Sequence, residues 1–330
     1  MKFESLKGKY VLLIAPIFFG YSFEIANEFR RRGAIVDFLP DRPFQSPFMK
    51  AGTRFAPSLL NSFAEHFFWE GIEKYSRSKY DFVFVVIGEA LTQNFLHSLR
   101  SRFPSASYIL YMWDSFENKK SLVKNIQSYD RCITFDLNDA KNYGLNFRPL
   151  FFSDGFKLSN KSQFNYDLSF IGTAHSDRYS IISKIAEDLP KEVTFYTYLF
   201  LQAPWVFFGH KLFNKAFINT RYGDFKYVPL EANIVQLIFS ESRVVLDIEH
   251  PKQIGLTMRT FETLGSGKKL ITTNSKVREY DFYDSQNICI VDREGEKKVK
   301  KNFFKDPYTP IPLDLYYKYS LQGWVDDVIS

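Results

Sequence analysis

The sequence predicts an α/β protein made of two parallel-sheet domains. Short apolar runs alternate with stretches of helical period, and this alternation breaks once near residues 149–154 before it restarts. The length, 330 residues, matches two domains of about 150 each.

Residues 10–15 (YVLLIA) are continuously apolar, as a strand buried on both faces of a parallel sheet must be. A turn containing Gly20 follows, then a helix over 23–32 that ends at Gly33, then a strand over 34–39. The runs 81–87 (DFVFVVI), 107–111 (SYILY) and 131–135 (RCITF) repeat the theme with helical spacers between them. A polar stretch, 157–165, marks the boundary. The second half opens with a strand over 167–172 (DLSFIG) and a helix over 177–187. Strands are expected at 192–199, 242–248, 269–273 and 287–291, with a helix over 257–264 and terminal helices within 313–329. The expected domains are therefore 1–155 and 156–312, with 313–330 as a helical tail.

Composition narrows the function classes. A net charge of +6 with 36 Phe and 20 Tyr suits nucleic acid, anionic lipid or phosphorylated small molecules, and charge alone does not choose among them. No nucleic-acid-binding motif is present, so no nucleic-acid partner is expected. Cys132 and Cys289 lie inside apolar runs without CxxC or zinc spacing, which reads as free thiols in a reducing cytoplasm. The apolar part of the N-terminus is too short and mixed for a signal peptide, and no stretch approaches the ~20 apolar residues that span a bilayer. A cytoplasmic location is expected, with any membrane contact made from the surface. The first strand leads into Ala15-Pro16-Ile17-Phe18-Phe19-Gly20 rather than GxGxxG, and neither a P-loop nor HExxH occurs.

Open α/β sheets bind ligands at the carboxyl ends of their strands, so the residues after each strand are the candidates. The richest segment is 242–274. A strand ends in Glu249-His250-Pro251, a loop carries Gly255, and a helix starts near Thr257. A helix start offers unpaired N–H groups to a diphosphate, and Arg259 adds charge-assisted hydrogen bonds. Glu262 lies a turn further on, where a carboxylate accepts from a ribose diol. A plain helix capped by Thr257, with Arg259 and Glu262 solvated, fits the same periodicity.

Met258-Arg259-Thr260-Phe261-Glu262 and Gly267-Lys268-Lys269-Leu270-Ile271-Thr272-Thr273-Asn274 resemble the donor-binding region of GT-B glycosyltransferases, in particular those related to CgeB-like and to capsular or lipopolysaccharide transferases. The resemblance covers 167–291 in motifs and the first half in architecture only. It implies a GT-B fold, two Rossmann-like domains facing across a cleft, with the tail packing back on the N-terminal domain. It implies further that Glu262 binds the donor ribose and that Gly255, Leu256 and Thr257 hold its phosphates with Arg259. Residues 167–178 resemble the opening of the same donor domain, in which Gly172 and Thr173 face the donor and Arg178 meets phosphate. His175 there is a catalytic candidate, or equally a surface or capping histidine. Tyr227 and Val228 correspond to backbone that holds the nucleotide base, although YVPL also reads as an edge strand. Many retaining members carry a second Glu eight positions before the ribose Glu. Here Ile254 stands there, which leaves retention or inversion open.

An inverting transferase needs a base beside the acceptor hydroxyl. Asp114 is the first candidate and Glu89 the second, with Asp136 and Glu24 behind them, and each also reads as a helix cap. The segment 205–227 mixes Trp and Phe with Lys211, Lys215, Arg221 and Lys226, which suits a membrane interface or an insertion packed on its own domain. The expected activity is transfer of a sugar from a nucleotide-sugar donor to a glycan acceptor, lipid-linked, in bacterial lipopolysaccharide O-antigen or capsule assembly. No cofactor or metal is expected, the nucleotide sugar being a substrate. The rival readings are a nucleotide-sugar 2-epimerase of the same fold and a catalytically silent scaffold subunit.

Overall fold

The computed structural model describes residues 5–17, 20–43, 57–158, 163–251, 253–294 and 299–330, without the side chains of 57–61 and Lys215. Phe18 and Phe19 of the first turn lie outside the described residues. The chain forms two compact units. The first comprises residues 1–149 and 321–330, and the second residues 150–320.

The first unit contains β1 (Tyr10–Ala15), α1 (Tyr21–Arg31), β2 (Ile35–Pro40), α2 (Pro57–Tyr75), β3 (Phe82–Val86), α3 (Gln93–Arg102), β4 (Ser107–Met112), β5 (Arg131–Thr134), α4 (Leu137–Tyr143) and β6 (Asn146–Phe147). The strands are parallel in the order β2-β1-β3-β4-β5-β6. Val11–Ala15 and Val83–Val86 are buried throughout, which is why these runs are apolar at every position. Pro40, which has no N–H to offer a neighbour, sits on the edge strand β2, where none is needed. The spacer between β4 and β5 is a 3₁₀ stretch, Lys120–Ser128.

The second unit contains β7 (Tyr166–Thr173), α5 (Arg178–Asp188), β8 (Phe195–Phe200), α6 (Pro204–Phe213), α7 (Ala232–Ser240), β9 (Ser242–Asp247), α8 (Met258–Gly265), β10 (Lys269–Thr272), β11 (Ile288–Ile290), α9 (Asn302–Lys305) and α10 (Leu313–Lys318). Its sheet is also parallel, in the order β11-β10-β9-β7-β8. The last helix, α11 (Leu321–Ile329), belongs to the first unit. There Trp324 is fully buried against Tyr111 and Phe84, and Asp326 pairs with Arg32. Cys132 and Cys289 are half-buried thiols that form no disulfide, and burial pushes the Cys132 thiol up to about 12.

In both sheets the chain lays the second strand on one side of the first and the third strand on its other side. Each sheet therefore has a switch point, between β1 and β3 in one unit and between β7 and β9 in the other. The crevice at the carboxyl end of such a point is where doubly wound sheets hold their ligands.

Candidate functional site at the carboxyl ends of β7 and β9

The β7/β9 switch point gathers most of the residues singled out in the second half. Strand β9 ends at Asp247, whose buried Oδ2 accepts from Thr257 Oγ1 at 2.7 Å and from Thr260 Oγ1 at 2.8 Å. The Thr257 hydroxyl is thereby turned away from the helix it precedes. Thr257 sits at the N-cap position with extended backbone (φ −77, ψ 164) and makes no side-chain cap, so α8 starts with its first-turn N–H groups uncapped by a side chain. Leu256 is buried and anchors the turn, while Gly255 offers its carbonyl to Gln253 Nε2 at 2.9 Å. From the β10 side, Asn274 Nδ2 holds the Ile254 carbonyl at 3.1 Å.

Glu262 is buried and Arg259 is only partly exposed. Glu262 is 2% exposed, and its Oε2 pairs with Arg259 Nη1 at 3.0 Å. Arg259 Nη2 donates to the Ile171 carbonyl at 3.0 Å, and the guanidinium lies 4.7 Å above the Phe239 ring. The helix start thus carries a cation tied to β7 and a buried carboxylate one turn along.

At the end of β7, Arg178 stitches the two strands together: Nη1 donates to Thr173 O at 2.9 Å and Nε to Ile248 O at 2.8 Å. Burial lowers the Arg178 pKa to about 10, so the group remains a cation at neutral pH. Gly172 makes room for it, because a Cβ there would stand 3.2 Å from Arg178 Nη1 and 3.0 Å from the Phe170 ring. His175 follows, its Nδ1 3.0 Å from Ser176 Oγ and its ring 5.4 Å from that of His250. Burial first, then the Arg178 and His250 charges, bring His175 down to about 4, so it is a neutral imidazole at pH 7.

Two residues here were not singled out from the sequence. Asp247 orients α8 as described. Arg293, after β11, bridges Asp177 at 2.8 Å and Glu249 Oε1 at 2.7 Å. Glu249 also accepts from Thr273 Oγ1. Both Asp247 and Arg293 lie at or just past a strand end, which is the signal that could have found them. Arg178, Arg259 and Arg293 together give this edge of the sheet three guanidinium groups.

Tyr227 and Val228 lie elsewhere. They follow Lys226, which bridges to Phe200 at the end of the edge strand β8, and they form no strand. The Tyr227 ring stacks on Tyr222 at 4.7 Å, and the Val228 carbonyl accepts from Tyr198 OH at 2.6 Å.

Comparison with solved structures settles the architecture. HepE of Anabaena, solved with UDP and glucose, matches 97% of this chain over 98% of its own at 12% identity and a TM-score of 0.59. The fold is GT-B. A glycosyltransferase of Rickettsia africae matches 98% of this chain over 95% of its own at 13% identity and a TM-score of 0.58. HepE with UDP-glucose aligns over 97% of this chain and 98% of its own at 10% identity and a TM-score of 0.57. No family model matches the chain, and no curated protein matches it in sequence.

In the first unit of this GT-B chain the strand-end carboxylates are locally engaged. Asp136 caps α4, accepting from the Asn138 and Asp139 amides at 2.8 and 3.2 Å. Asp114 Oδ1 accepts from Ser115 N and Asn118 Nδ2, both at 2.9 Å. Glu89 is held between Arg42 at 3.2 Å and Lys119 at 2.9 Å. Glu24 lies in the first turn of α1. Among the described residues, no three His, Cys, Asp or Glu side chains gather as ligands of a metal ion would.

Proposed function

We propose that the chain transfers a glycosyl group from a nucleotide sugar to a glycan acceptor, and that the second unit holds the donor. The observation that carries this reading is the side-chain-uncapped start of α8 at the β7/β9 switch point, with Arg259 on its first turn and Glu262 behind it. A diphosphate is matched by amide N–H groups and guanidinium, and a ribose diol by a carboxylate. Gly255, Leu256 and Thr257 would form the turn that meets the phosphates. Gly172, Thr173 and Arg178 would build the facing wall. His175, neutral at pH 7, would hydrogen-bond a sugar or phosphate oxygen without adding charge. Arg259, with Arg178 and Arg293 behind the same strand ends, would balance the leaving diphosphate, so the transfer is proposed to proceed without a metal. The UDP class is the first choice of donor, because HepE was solved with UDP and with UDP-glucose.

The acceptor we propose is a lipid-linked glycan of bacterial surface polysaccharide, lipopolysaccharide O-antigen or capsule. The likeness of 258–262 and 267–274 to those transferases supports the pathway, and α6 supports the lipid. On α6, Trp205, Phe208, Leu212 and Phe213 are 58–89% exposed and share one face by helical period, while Phe207 on the opposite face is buried. Ile218, Tyr222 and Val228 extend the apolar surface, with Arg221 and Lys226 exposed beside it. Apolar and aromatic side chains next to cations suit the headgroup region of an anionic membrane. Among the described residues no helix is long and apolar enough to cross a membrane. The proposed place of work is the inner face of the cytoplasmic membrane.

Two measurements test these readings. In a thermal-shift screen of UDP, GDP, CMP and dTDP with their common sugars, one nucleotide class should stabilise the protein by about 2.7 kcal/mol at 100 Kd. No stabilisation by any of them would contradict the transfer reading. In flotation with phosphatidylglycerol-rich vesicles the wild type should rise with the lipid, and Phe208→Ser/Phe213→Ser should remain at the bottom. Wild type left behind by the vesicles would remove the membrane reading.

A further inference from the structure

A cavity of about 350 Å³ opens at the amino end of the first sheet, among the last turns of α2, the turn before β3 and the end of α3. Sites for small ligands begin at about 300 Å³. Its apolar walls are fixed by packing. Ile72 and Phe103 are buried, and Phe103 meets Tyr80 edge-on at 4.9 Å. Trp69 is half-buried, its ring set edge-on to Phe95 at 5.4 Å.

Three charged side chains line the same space. Arg77 donates from Nε and Nη2 to Asp37 at 2.8 and 3.2 Å, and Tyr80 OH donates to the same carboxylate at 2.9 Å. The guanidinium also lies 5.1 Å from the Tyr10 ring centre, so its direction is set. Its Nη1 has no hydrogen bond among the described residues. Arg102 rests 5.0 Å over the Phe103 ring and makes no hydrogen bond or ion pair among the described residues. The Glu73 carboxylate has none there either, although the Glu73 carbonyl accepts from Ser76 N–H at 3.0 Å and Ser76 Oγ at 3.2 Å.

This lining selects against an ion. Asp37 neutralises Arg77, and Arg102 and Glu73 oppose each other in sign. A phosphate drawn to Arg102 would meet the Glu73 charge as well. An amino-acid zwitterion would match both signs, but Glu73 and Arg102 are exposed, and exposed ion pairs contribute little. What the cavity offers is hydrogen bonds of both kinds beside an aromatic face. The guanidinium N–H groups donate, the carboxylate accepts, and the indole, phenyl and Ile72 surfaces favour an apolar partner. A pyranose ring carries this combination, a C–H face within a rim of hydroxyls that donate and accept.

We infer that this cavity binds a pyranose unit of a glycan, its C–H face on Trp69 and its hydroxyls shared between Glu73 and Arg102. Arg77 Nη1 supplies a further donor of fixed direction. The site lies within the first unit and does not depend on the donor site of the second. Because Glu73, Ser76 and Arg102 are exposed, the cavity is open, and a glycan can continue from the bound unit into solvent.

The test is ligand-observed NMR of the full chain with maltose, cellobiose, lactose and N,N′-diacetylchitobiose. At least one should receive saturation from the protein, most strongly at the C–H protons of one ring face. Trp69→Ala and Arg102→Ala should each weaken that binding by about 10-fold, and Trp69→Phe, which keeps an aromatic face, by less. Arg102 is exposed, so its variant should keep the wild-type Tm and read binding alone. UDP affinity should stay at the wild-type value in all three. Saturation of none of the four disaccharides would overturn the inference, as would binding that Trp69→Ala and Arg102→Ala leave unchanged. Wild type that binds a disaccharide through these residues but no UDP would uphold this site and contradict the donor reading instead.

Discussion

Trp324→Ala is expected to destabilise the first unit by about 3–5 kcal/mol, the usual loss for truncating a fully buried aromatic. Trp324 is 0% exposed and meets Tyr111 edge-on at 4.8 Å and Phe84 at 5.9 Å, so it is the largest of the side chains, with Leu321, Val325 and Val328, that α11 buries in the first unit. The polar ties of the same helix reinforce it. Arg32 reaches Asp326 and the Gln322 carbonyl, and Arg148 pairs with Asp327 at 2.6 Å. Those ties depend on the helix staying docked, so loss of the ring should weaken them too. Urea unfolding followed by circular dichroism checks this, and Trp324→Phe, which keeps an edge-to-face partner, should lose less. A change below about 1 kcal/mol for the alanine variant would mean that α11 contributes little to the fold.

Glu262→Gln is expected to weaken nucleoside diphosphate binding by about 10- to 100-fold, the effect of replacing a charged hydrogen-bond acceptor by a neutral one at one or two diol contacts. The glutamine variant is preferred to alanine because Glu262 is 2% exposed and paired to Arg259. Emptying that position would leave a partly buried guanidinium without its carboxylate. Titration calorimetry with UDP reads the affinity directly. Equal affinity in variant and wild type would show that the carboxylate serves only to hold Arg259.

Much of the architecture is legible in the sequence because parallel strands buried on both faces must be apolar at every position. The runs that became β1, β3, β4 and β9 announce themselves in this way. Elements defined by distant partners do not. Strand β6 is two residues long and exists through its pairing with β5. Strand β8 begins at Phe195 rather than 192, because Val193 N–H closes a turn on Pro190 O at 2.9 Å. The terminal segment reads as helical from 313 to 329 but breaks at Tyr319-Ser320, where the Tyr319 carbonyl accepts from Phe152 N–H at 2.9 Å. Pro204 and the aromatics after it conceal the helix α6, whose Pro at the first helical position is a start signal.

For the candidate site, position was readable and partnership was not. The strand-end rule leads to Gly172–Arg178 and Gly255–Glu262 without any structure. It does not show that the Thr257 hydroxyl turns to Asp247 instead of capping α8, or that Arg178 spans two carbonyls.

The most direct measurement is a crystal structure of the chain with UDP. The diphosphate is expected at the first-turn amides of α8 beside Arg259, with the ribose diol on Glu262. UDP bound at any other place, with the β7 and β9 strand ends empty, would contradict the donor site and the function built on it.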